Sequence, residues 1–375
     1  MPGSTSHAPD GTAARPDSAA DGFTIEGRIP RNDLLRMDAY STAMAFVNGE
    51  IAVSGDLFQA VRVLLSRSRP GWRGLWNIAA AWLGDLNIQT RLRDRRTTAR
   101  DVRFHYDRSN EFYRQFLDSR MQYSEAHFTG PNCSLEEAQL AKLDRICRHL
   151  GLAGGQRFLD IGCGWGGLLT YAAEHFGVDG VGCTLSERQF ELASETVAKS
   201  GLAGRVLIRQ TDYRNLTGRF DRIASVGMFE HVGRRRMPGY FRKIYSLLAA
   251  DGLFLNRGIV RPETATDQPE TQFVQRNVFP GGQLIHLSEV IRDAERAGFE
   301  AVSMEGVRQH YARTCRAWVA NLTANAAACR RLVGDVTYRT WMLYLSASAV
   351  NFEDGQIDCV EVVFAKRPGR SSRAV

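Results

Sequence analysis

Short apolar runs alternate with segments of helical spacing through the middle of the chain. In the helical segments apolar residues recur at intervals of three and four positions. Strand, helix, strand in repetition is typical of a parallel, doubly wound α/β sheet. The predicted elements are strand 157–162, helix 167–176, strand 180–184, helix 187–199, strands 206–211 and 220–226, helix 238–249 and strand 252–259.

The pattern changes before residue 100. Segments 55–65 and 75–83 have helical periodicity, and the apolar side chains of the second would form either a core or a membrane-facing surface. Segment 46–53 is predicted as a hairpin around Asn48 and Gly49, a pair that favours a type I′ turn. The sequence therefore predicts a smaller N-terminal α+β domain at 21–100 and an α/β domain at 101–368.

Residues 1–20 are predicted to be a disordered tail. They are rich in Pro, Gly, Ser, Ala and Asp and have no apolar region of the kind a signal peptide needs.

The first strand of the α/β region ends in a glycine-rich turn. Glycines at 162, 164, 166 and 167 lie between that strand and the following helix. Glycine lets backbone lie against a ligand, and a helix N-terminus offers polarised N–H groups. Ligands of such sheets bind beyond the carboxyl ends of the strands, so the turn predicts a nucleotide-cofactor site.

Two cofactor classes fit this turn. Gly162, Gly164 and Gly167 match the dinucleotide spacing, whereas Asp160 with Gly162, Gly164 and Gly166 matches the form used for S-adenosylmethionine. The next strand ends near Thr184 without the acidic residue directly at its tip that a nicotinamide ribose requires. The sequence thus favours S-adenosylmethionine.

Further motifs follow one another along the chain. They are 106–113, 121–124, 135–139, 184–189, 227–233, 279–282, and His310 and Tyr311 with Trp318. In this order they resemble the cyclopropane-fatty-acyl-phospholipid synthase family over about Val102 to Lys366. The resemblance implies a Rossmann-like class I methyltransferase that delivers a methyl carbon to the double bond of an unsaturated acyl chain, usually in a membrane phospholipid. It also implies that strands 301–307 and 358–366 close the sheet as an antiparallel pair.

The same resemblance implies a cofactor site at the strand ends. Its expected residues are Tyr123, Ser124, Asp160, Gly162, Cys163, Gly164, Gly166, Thr184, Ser186, Gln189, Asp212 and Tyr213. The glycines would bracket the methionine part, the hydroxyl and amide groups at 184–189 would hold the ribose, and the pair at 212–213 would take the adenine. Thr184 and Ser186 are equally suited to cap the helix that follows.

The expected catalytic residues depart from the family pattern. The family commonly uses a bicarbonate base held by a Cys, a Glu, a His and a Tyr, and the equivalents here are Glu125, Glu230, Arg257 and Tyr311. Glu125 places a carboxylate where bicarbonate would bind, and Arg257 offsets its repulsion with Glu230. We therefore expect Glu125 to replace bicarbonate as the base. The alternatives are a bound bicarbonate, or a Glu125 that faces solvent or caps the next segment.

The product and the acceptor stay open at this point. Base position decides between a cyclopropane and a methylene-branched chain, and the second would involve a partner reductase. The alternative functions are N- or O-methylation of a soluble small molecule and non-catalytic lipid binding. Retention of Glu230, Tyr311 and the cofactor residues argues against the last.

Composition and charge limit the remaining classes. The chain has 375 residues, 44% of them hydrophobic, and no apolar run of about 18 that would span a bilayer. Seven scattered cysteines without a Cys-x-x-Cys pair argue against zinc and disulfides and for a reducing cytoplasm. A net charge of +7 is concentrated partly in 91–103 and 234–236, which would attract anionic lipid or nucleic acid. Because the expected substrate is an acyl chain, lipid is the favoured partner of these basic segments. We therefore expect a cytoplasmic enzyme at the inner membrane face, with an acyl phospholipid as partner and no nucleic acid. A homodimer is compatible with the sequence.

Overall fold

The computed structural model describes residues 22–67, 109–265, 270–278 and 283–367. Several sequence predictions fall outside these ranges: the tail at 1–20, the helix at 75–83, the basic segment 91–103, the start of the motif at 106–113 and the motif at 279–282.

The described residues form nine strands. They are β1 Phe23–Gly27, β2 Ile51–Gly55, β3 Arg157–Ile161, β4 Asp179–Thr184, β5 Val206–Gln210, β6 Phe220–Val226, β7 Leu248–Val260, β8 Phe299–Gly306 and β9 Asp358–Lys366. Strands β3 to β9 build one seven-stranded sheet in the order β5-β4-β3-β6-β7-β9-β8. The first five are parallel, and β9 runs antiparallel to both β7 and β8. The doubly wound sheet and its antiparallel closing pair are thus confirmed.

The described residues form twelve α-helices in all. They are α1 Arg31–Leu34, α2 Ala39–Asn48, α3 Leu57–Arg67, α4 Asn110–Arg114, α5 Leu135–His149, α6 Gly167–Phe176, α7 Glu187–Lys199, α8 Met237–Leu247, α9 Glu270–Asn277, α10 Leu287–Ala297, α11 Arg308–Ala324 and α12 Ala326–Glu353. Helices α5 to α8 and α10 cover the two faces of this sheet. Neighbouring strand residues alternate between the two faces: Leu159 packs with α8 and α10, whereas Phe158 packs with α5, α6 and α7. This period of two is what a sheet buried on both sides requires.

The predicted hairpin at Asn48 and Gly49 is wrong. Residues 46–48 form the last turn of α2, and Gly49 ends the helix in the left-handed conformation at φ 78°. The strand that follows, β2, pairs antiparallel with β1 instead. An Asn-Gly pair suits both structures, because glycine is also the preferred residue just after a helix.

The N-terminal elements share a core with the last two helices. Ala43 and Val47 of α2 and Val61 of α3 belong to the same buried cluster as Trp318 of α11 and Trp341 of α12. An ion pair of 2.7 Å joins Arg62 to Glu353. The proposed boundary near residue 100 lies outside the described residues, so the domain division stays a prediction. Within the described part of the chain, no helix has the length and apolar content to cross a membrane.

Candidate active site

The glycine-rich turn joins β3 to α6 and leaves its backbone open. Gly162, Gly164 and Gly166 have φ of 79°, 55° and 83°, in the left-handed region that favours glycine. A Cβ at Gly164 would meet no atom within 4 Å, whereas one at Gly162 would lie 2.7 Å from the Met228 side chain. The turn therefore presents bare backbone to a cavity at the carboxyl ends of the strands.

Ten of the twelve residues predicted for the cofactor line this one cavity. They are Tyr123, Ser124, Asp160, Gly162, Cys163, Gly164, Thr184, Gln189, Asp212 and Tyr213. The other two, Gly166 and Ser186, are not among its lining residues. A Cβ at Gly166 would lie 3.2 Å from the Ala193 side chain. The Ser186 hydroxyl accepts from the Gln189 backbone N–H and caps α7. Ser186 therefore caps the helix that follows it, as the alternative prediction for this residue stated.

Polar lining groups are held in place by their neighbours. The Thr184 hydroxyl donates to the Gln189 side-chain oxygen at 2.7 Å. The Asp212 carboxylate accepts from the Arg214 backbone N–H at 2.9 Å and from its guanidinium Nε at 2.8 Å. Arg214 also lines the cavity, and sequence reasoning missed it.

Lys142 is a second lining residue that the sequence reasoning missed. Its ammonium, on α5, is buried and donates to the Gln122 side-chain oxygen at 2.6 Å and to the Ser124 hydroxyl at 3.0 Å. Burial lowers the pKa of Lys142 to about 8. Burial also raises the pKa of Asp160 to about 7, with Lys142 acting in the opposite direction. The available signal was helical spacing, since Lys142 follows Gln139 of a recognised motif by three positions.

Next to this cavity, Arg257 lies between two buried carboxylates. Its Nη1 donates to Glu125 at 2.6 Å and its Nε donates to Glu361 at 2.7 Å, while Nη2 also contacts Glu361. All three residues are 1–2% exposed. Glu125 therefore points into the protein, and the alternative in which it faces solvent is wrong.

Strand register brings Arg257 and Glu361 together. The two residues are direct partners in the antiparallel β7–β9 ladder. The second oxygen of Glu361 is hydrogen-bonded to His149 Nδ1 at the end of α5. Sequence reasoning missed Glu361 and His149, because cross-strand register is not visible in the local pattern.

The electrostatic balance of this group follows from burial and pairing. Burial acts to lower the pKa of Arg257, but Glu125 and Glu361 hold that pKa above its usual value. Burial acts to raise the pKa of Glu361, but Arg257 and His149 hold it below its usual value. Arg257 and Glu361 are thus both charged in the folded protein.

Backbone contacts fix the segment that carries Glu125. On one side, the Gln139 amide donates to the Ser124 carbonyl at 2.9 Å. On the other side, the Ala126 N–H donates to the Thr314 hydroxyl at 2.9 Å, and the Phe128 N–H donates to His310 Nδ1 at 3.1 Å. Helices α5 and α11 therefore hold the segment between them.

Glu230 contributes a further carboxylate, of which one oxygen is hydrogen-bonded within the described residues. It lies in the short 3₁₀ turn Phe229–His231, and its Oε1 accepts from the Ile259 N–H at 2.6 Å. Its Oε2 is buried and has no hydrogen-bond partner among the described residues. Burial raises the pKa of Glu230 to about 7, and the charge of Glu125 acts in the same direction.

Tyr311 approaches the same group from α11. Its ring stacks on Phe352 with a centroid distance of 4.4 Å. Burial raises the pKa of Tyr311 well above its usual value, and the negative charge of Glu125 adds to this effect. Of the four residues predicted for catalysis, Glu125 and Arg257 are thus hydrogen-bonded to each other, and burial is the main cause of the raised pKa of Glu230 and of Tyr311.

A family model described as mycolic acid cyclopropane synthetase matches residues 93–362. The chain belongs to this family. A probable fatty acid methyltransferase from Pseudomonas putida is 38% identical over 330 residues, covering 86% of this chain and 81% of that protein. Cyclopropane mycolic acid synthase 1 from Mycobacterium tuberculosis is 35% identical over 271 residues, covering 69% of this chain and 94% of that protein.

Solved structures agree with this assignment. The mycolic acid cyclopropane synthase CmaA1, complexed with SAH and CTAB, is 33% identical and superposes with a TM-score of 0.69, covering 72% of this chain and 98% of that one. The protein is an S-adenosylmethionine-dependent methyltransferase of the cyclopropane synthase type with a class I, Rossmann-like fold. The predicted family, fold class and enzyme class are confirmed.

Proposed function

We propose that this enzyme methylates the double bond of an unsaturated acyl chain carried by a phospholipid, with the Glu125 carboxylate as the base. The observation that carries the proposal is the buried Glu125–Arg257 pair, one residue along the chain from the cavity-lining Ser124. The product is a cyclopropane or a methylene-branched chain.

The cavity suits S-adenosylmethionine. Gly164 leaves space where any side chain would project, and the buried Asp160 carboxylate provides a negative partner for a cationic ligand. The predicted residues that line the cavity would hold the methionine, ribose and adenine parts in that order along the strand ends. When bound, the cofactor supplies an electrophilic methyl carbon.

The protein's own part in the reaction is to exclude water and accept one proton. Transfer of that methyl carbon to the acyl double bond would leave a carbocation in the acyl chain, and loss of one proton from the chain would complete the product. A carbocation needs a dry site and a nearby base. Glu125 and Arg257 are 2% and 1% exposed, so water is largely absent around them. Glu125 accepts the proton that the acyl carbocation loses. Arg257 stays beside it as a fixed positive charge.

The test is the variant Glu125→Gln. We expect kcat to fall by about 10²-fold or more with S-adenosylmethionine affinity unchanged, and rigorous removal of bicarbonate to leave the unmodified enzyme active. Glu136→Gln, which removes a surface carboxylate bound by Ser119, is the matched control. Strict bicarbonate dependence, or normal turnover in Glu125→Gln, would show that Glu125 is not the base. The base would then be a bound anion near Glu230 and Tyr311.

The phospholipid part of the proposal is tested separately. Arg234 and Arg235 are exposed in the short turn Arg234–Arg236, which favours contact with an anionic surface. We expect turnover on vesicles to rise with anionic lipid and to weaken as salt screens these charges. A mass gain of one CH₂ unit in the acyl chain identifies the reaction, and NMR separates ring from branch. Equal turnover of a soluble non-lipid acceptor, without vesicle binding, would favour N- or O-methylation instead.

A further inference from the structure

Glu361 is the principal partner of Arg257. It accepts from two nitrogens of the guanidinium, whereas Glu125 accepts from one. It is also fixed by the β7–β9 ladder, in which it lies directly opposite Arg257. Two N–H groups of the planar guanidinium, Nε and Nη2, donate to Glu361 and so fix the orientation of the guanidinium plane. Glu361 therefore sets the direction in which the remaining nitrogen, Nη1, points toward Glu125.

The charges of the three residues do not cancel. Arg257 is the only one of them that is positive, and both carboxylates are 2% exposed. If Arg257 were paired with Glu125 alone, a proton taken up by Glu125 would leave a buried guanidinium without a partner, which is costly. With Glu361 present, the same proton leaves a neutral Glu125 beside an intact Arg257–Glu361 pair.

Other titratable or charged side chains around the trio come from the neighbouring elements. His149 on α5 contacts Glu361, and Arg145 on the same helix pairs with Glu305 of β8. His149, Glu305 and Glu361 have ligand atoms within 4.8 Å of one another, but two arginines already supply the positive charge there. The cluster is therefore poorly suited to hold a metal ion, and the member that contacts Arg257 is Glu361.

We infer that Glu361 is a positioning residue for the Glu125 base: it aims the Arg257 guanidinium and keeps it paired once Glu125 has taken the proton. The inference rests on the proposed role of Glu125. It adds a residue that acts through Arg257 and does not touch the substrate.

The experiment compares Glu361→Gln with two companions. We expect Glu361→Gln to lower kcat by about tenfold or more, with KM and S-adenosylmethionine affinity within about twofold of the unmodified enzyme. Glu361→Asp keeps the charge and should lose less. The control is Glu305→Gln, since Glu305 lies opposite Glu361 in the β8–β9 ladder but pairs with Arg145 near the surface; its kcat should stay within about twofold.

A double-mutant cycle shows whether Glu361 acts through Glu125. In a Glu125→Gln background, adding Glu361→Gln should lower the residual kcat by less than about twofold, because the base is already absent. An undiminished further loss would overturn the inference, as would a normal kcat in folded Glu361→Gln. Should Glu361→Gln fail to fold, the same cycle with Glu361→Asp decides. Normal turnover in Glu125→Gln alone would instead remove the base proposal and this inference with it.

Discussion

Replacing Arg257 by Met tests the buried charge arrangement through stability. Met is similar in length and fills much of the same space, but it leaves Glu125 and Glu361 buried without an opposite charge. Removing one member of a buried ion pair costs about 3–5 kcal/mol. Because Arg257 serves two carboxylates, we expect the free energy of unfolding to fall by about 4–5 kcal/mol at pH 8.

The pH dependence gives the sharper result. In the unmodified protein the folded-state pKa of Glu361 is below its unfolded value, so its contribution is present above the unfolded pKa and is lost as pH falls through the folded one. Without Arg257, burial would dominate and raise the carboxylate pKa above the unfolded value. Stability of Arg257→Met should then decrease as pH rises, and the loss relative to the unmodified protein should be larger at pH 8 than at pH 5.

Urea unfolding at the two pH values measures this difference. Arg145→Met is the control, since Arg145 and its partner Glu305 have side chains 26% and 41% exposed and such a pair contributes about 0–1 kcal/mol. An equal loss at pH 5 and pH 8, or a loss below about 1 kcal/mol, would refute the reasoning that the trio is charged and dry.

Three further predictions concern the cavity and Glu230. Gly164→Val should abolish S-adenosylmethionine binding by calorimetry, whereas Gly151→Val, with φ +56° and equally open space but outside the cavity lining, should bind normally; equal affinities would contradict the role of the turn. Because burial raises the folded-state pKa of Glu230 to about 7, its contribution to stability should fall as pH rises from about 5 to 7. Glu230→Gln should make the slope shallower in melts without removing it, because Asp160 has a pKa raised to about 7 as well. Gly258→Ala would place a Cβ against the Phe229 ring and 2.8 Å from Glu230 Oε1, which displaces the turn that carries Glu230, so kcat should fall sharply. An unchanged kcat would show that Glu230 placement is not critical.

Local signals predicted the sheet and the cofactor turn well. The strand, glycine turn and helix around Gly164 are contiguous in sequence, so pattern alone places them. Glu125 and Arg257 were found because each departs from a recognised motif. Boundaries were less accurate: β7 begins at Leu248, four residues before the predicted start, since Asp251 and Gly252 resemble a turn but continue an irregular strand.

Contacts set by tertiary structure could not be predicted in the same way. Glu361 meets Arg257 through strand register, and Lys142 meets Ser124 through the packing of α5. Neither contact joins residues near in sequence. Helical spacing from Gln139 was a signal for Lys142, whereas Glu361 stands in a run that predicts only a strand. The hairpin prediction at Asn48 and Gly49 was wrong for a related reason. Whether an Asn-Gly pair ends a helix or forms a hairpin turn depends on which strand pairs with β2, and that strand is β1.

The packing of the N-terminal helices on α12 also bears on how the chain folds as it is synthesised. Arg62 and Glu353 are 291 residues apart, and Arg339 of α12 donates to the carbonyls of Phe46 and Ile51. Contacts so distant in sequence form late, because the intervening chain must be ordered first. Helices α2 and α3 therefore emerge from the ribosome long before their partner exists, and their apolar faces stay exposed until α12 has been made. Apolar surface that is exposed during synthesis favours aggregation, so this packing is a point at which folding of the nascent chain is vulnerable.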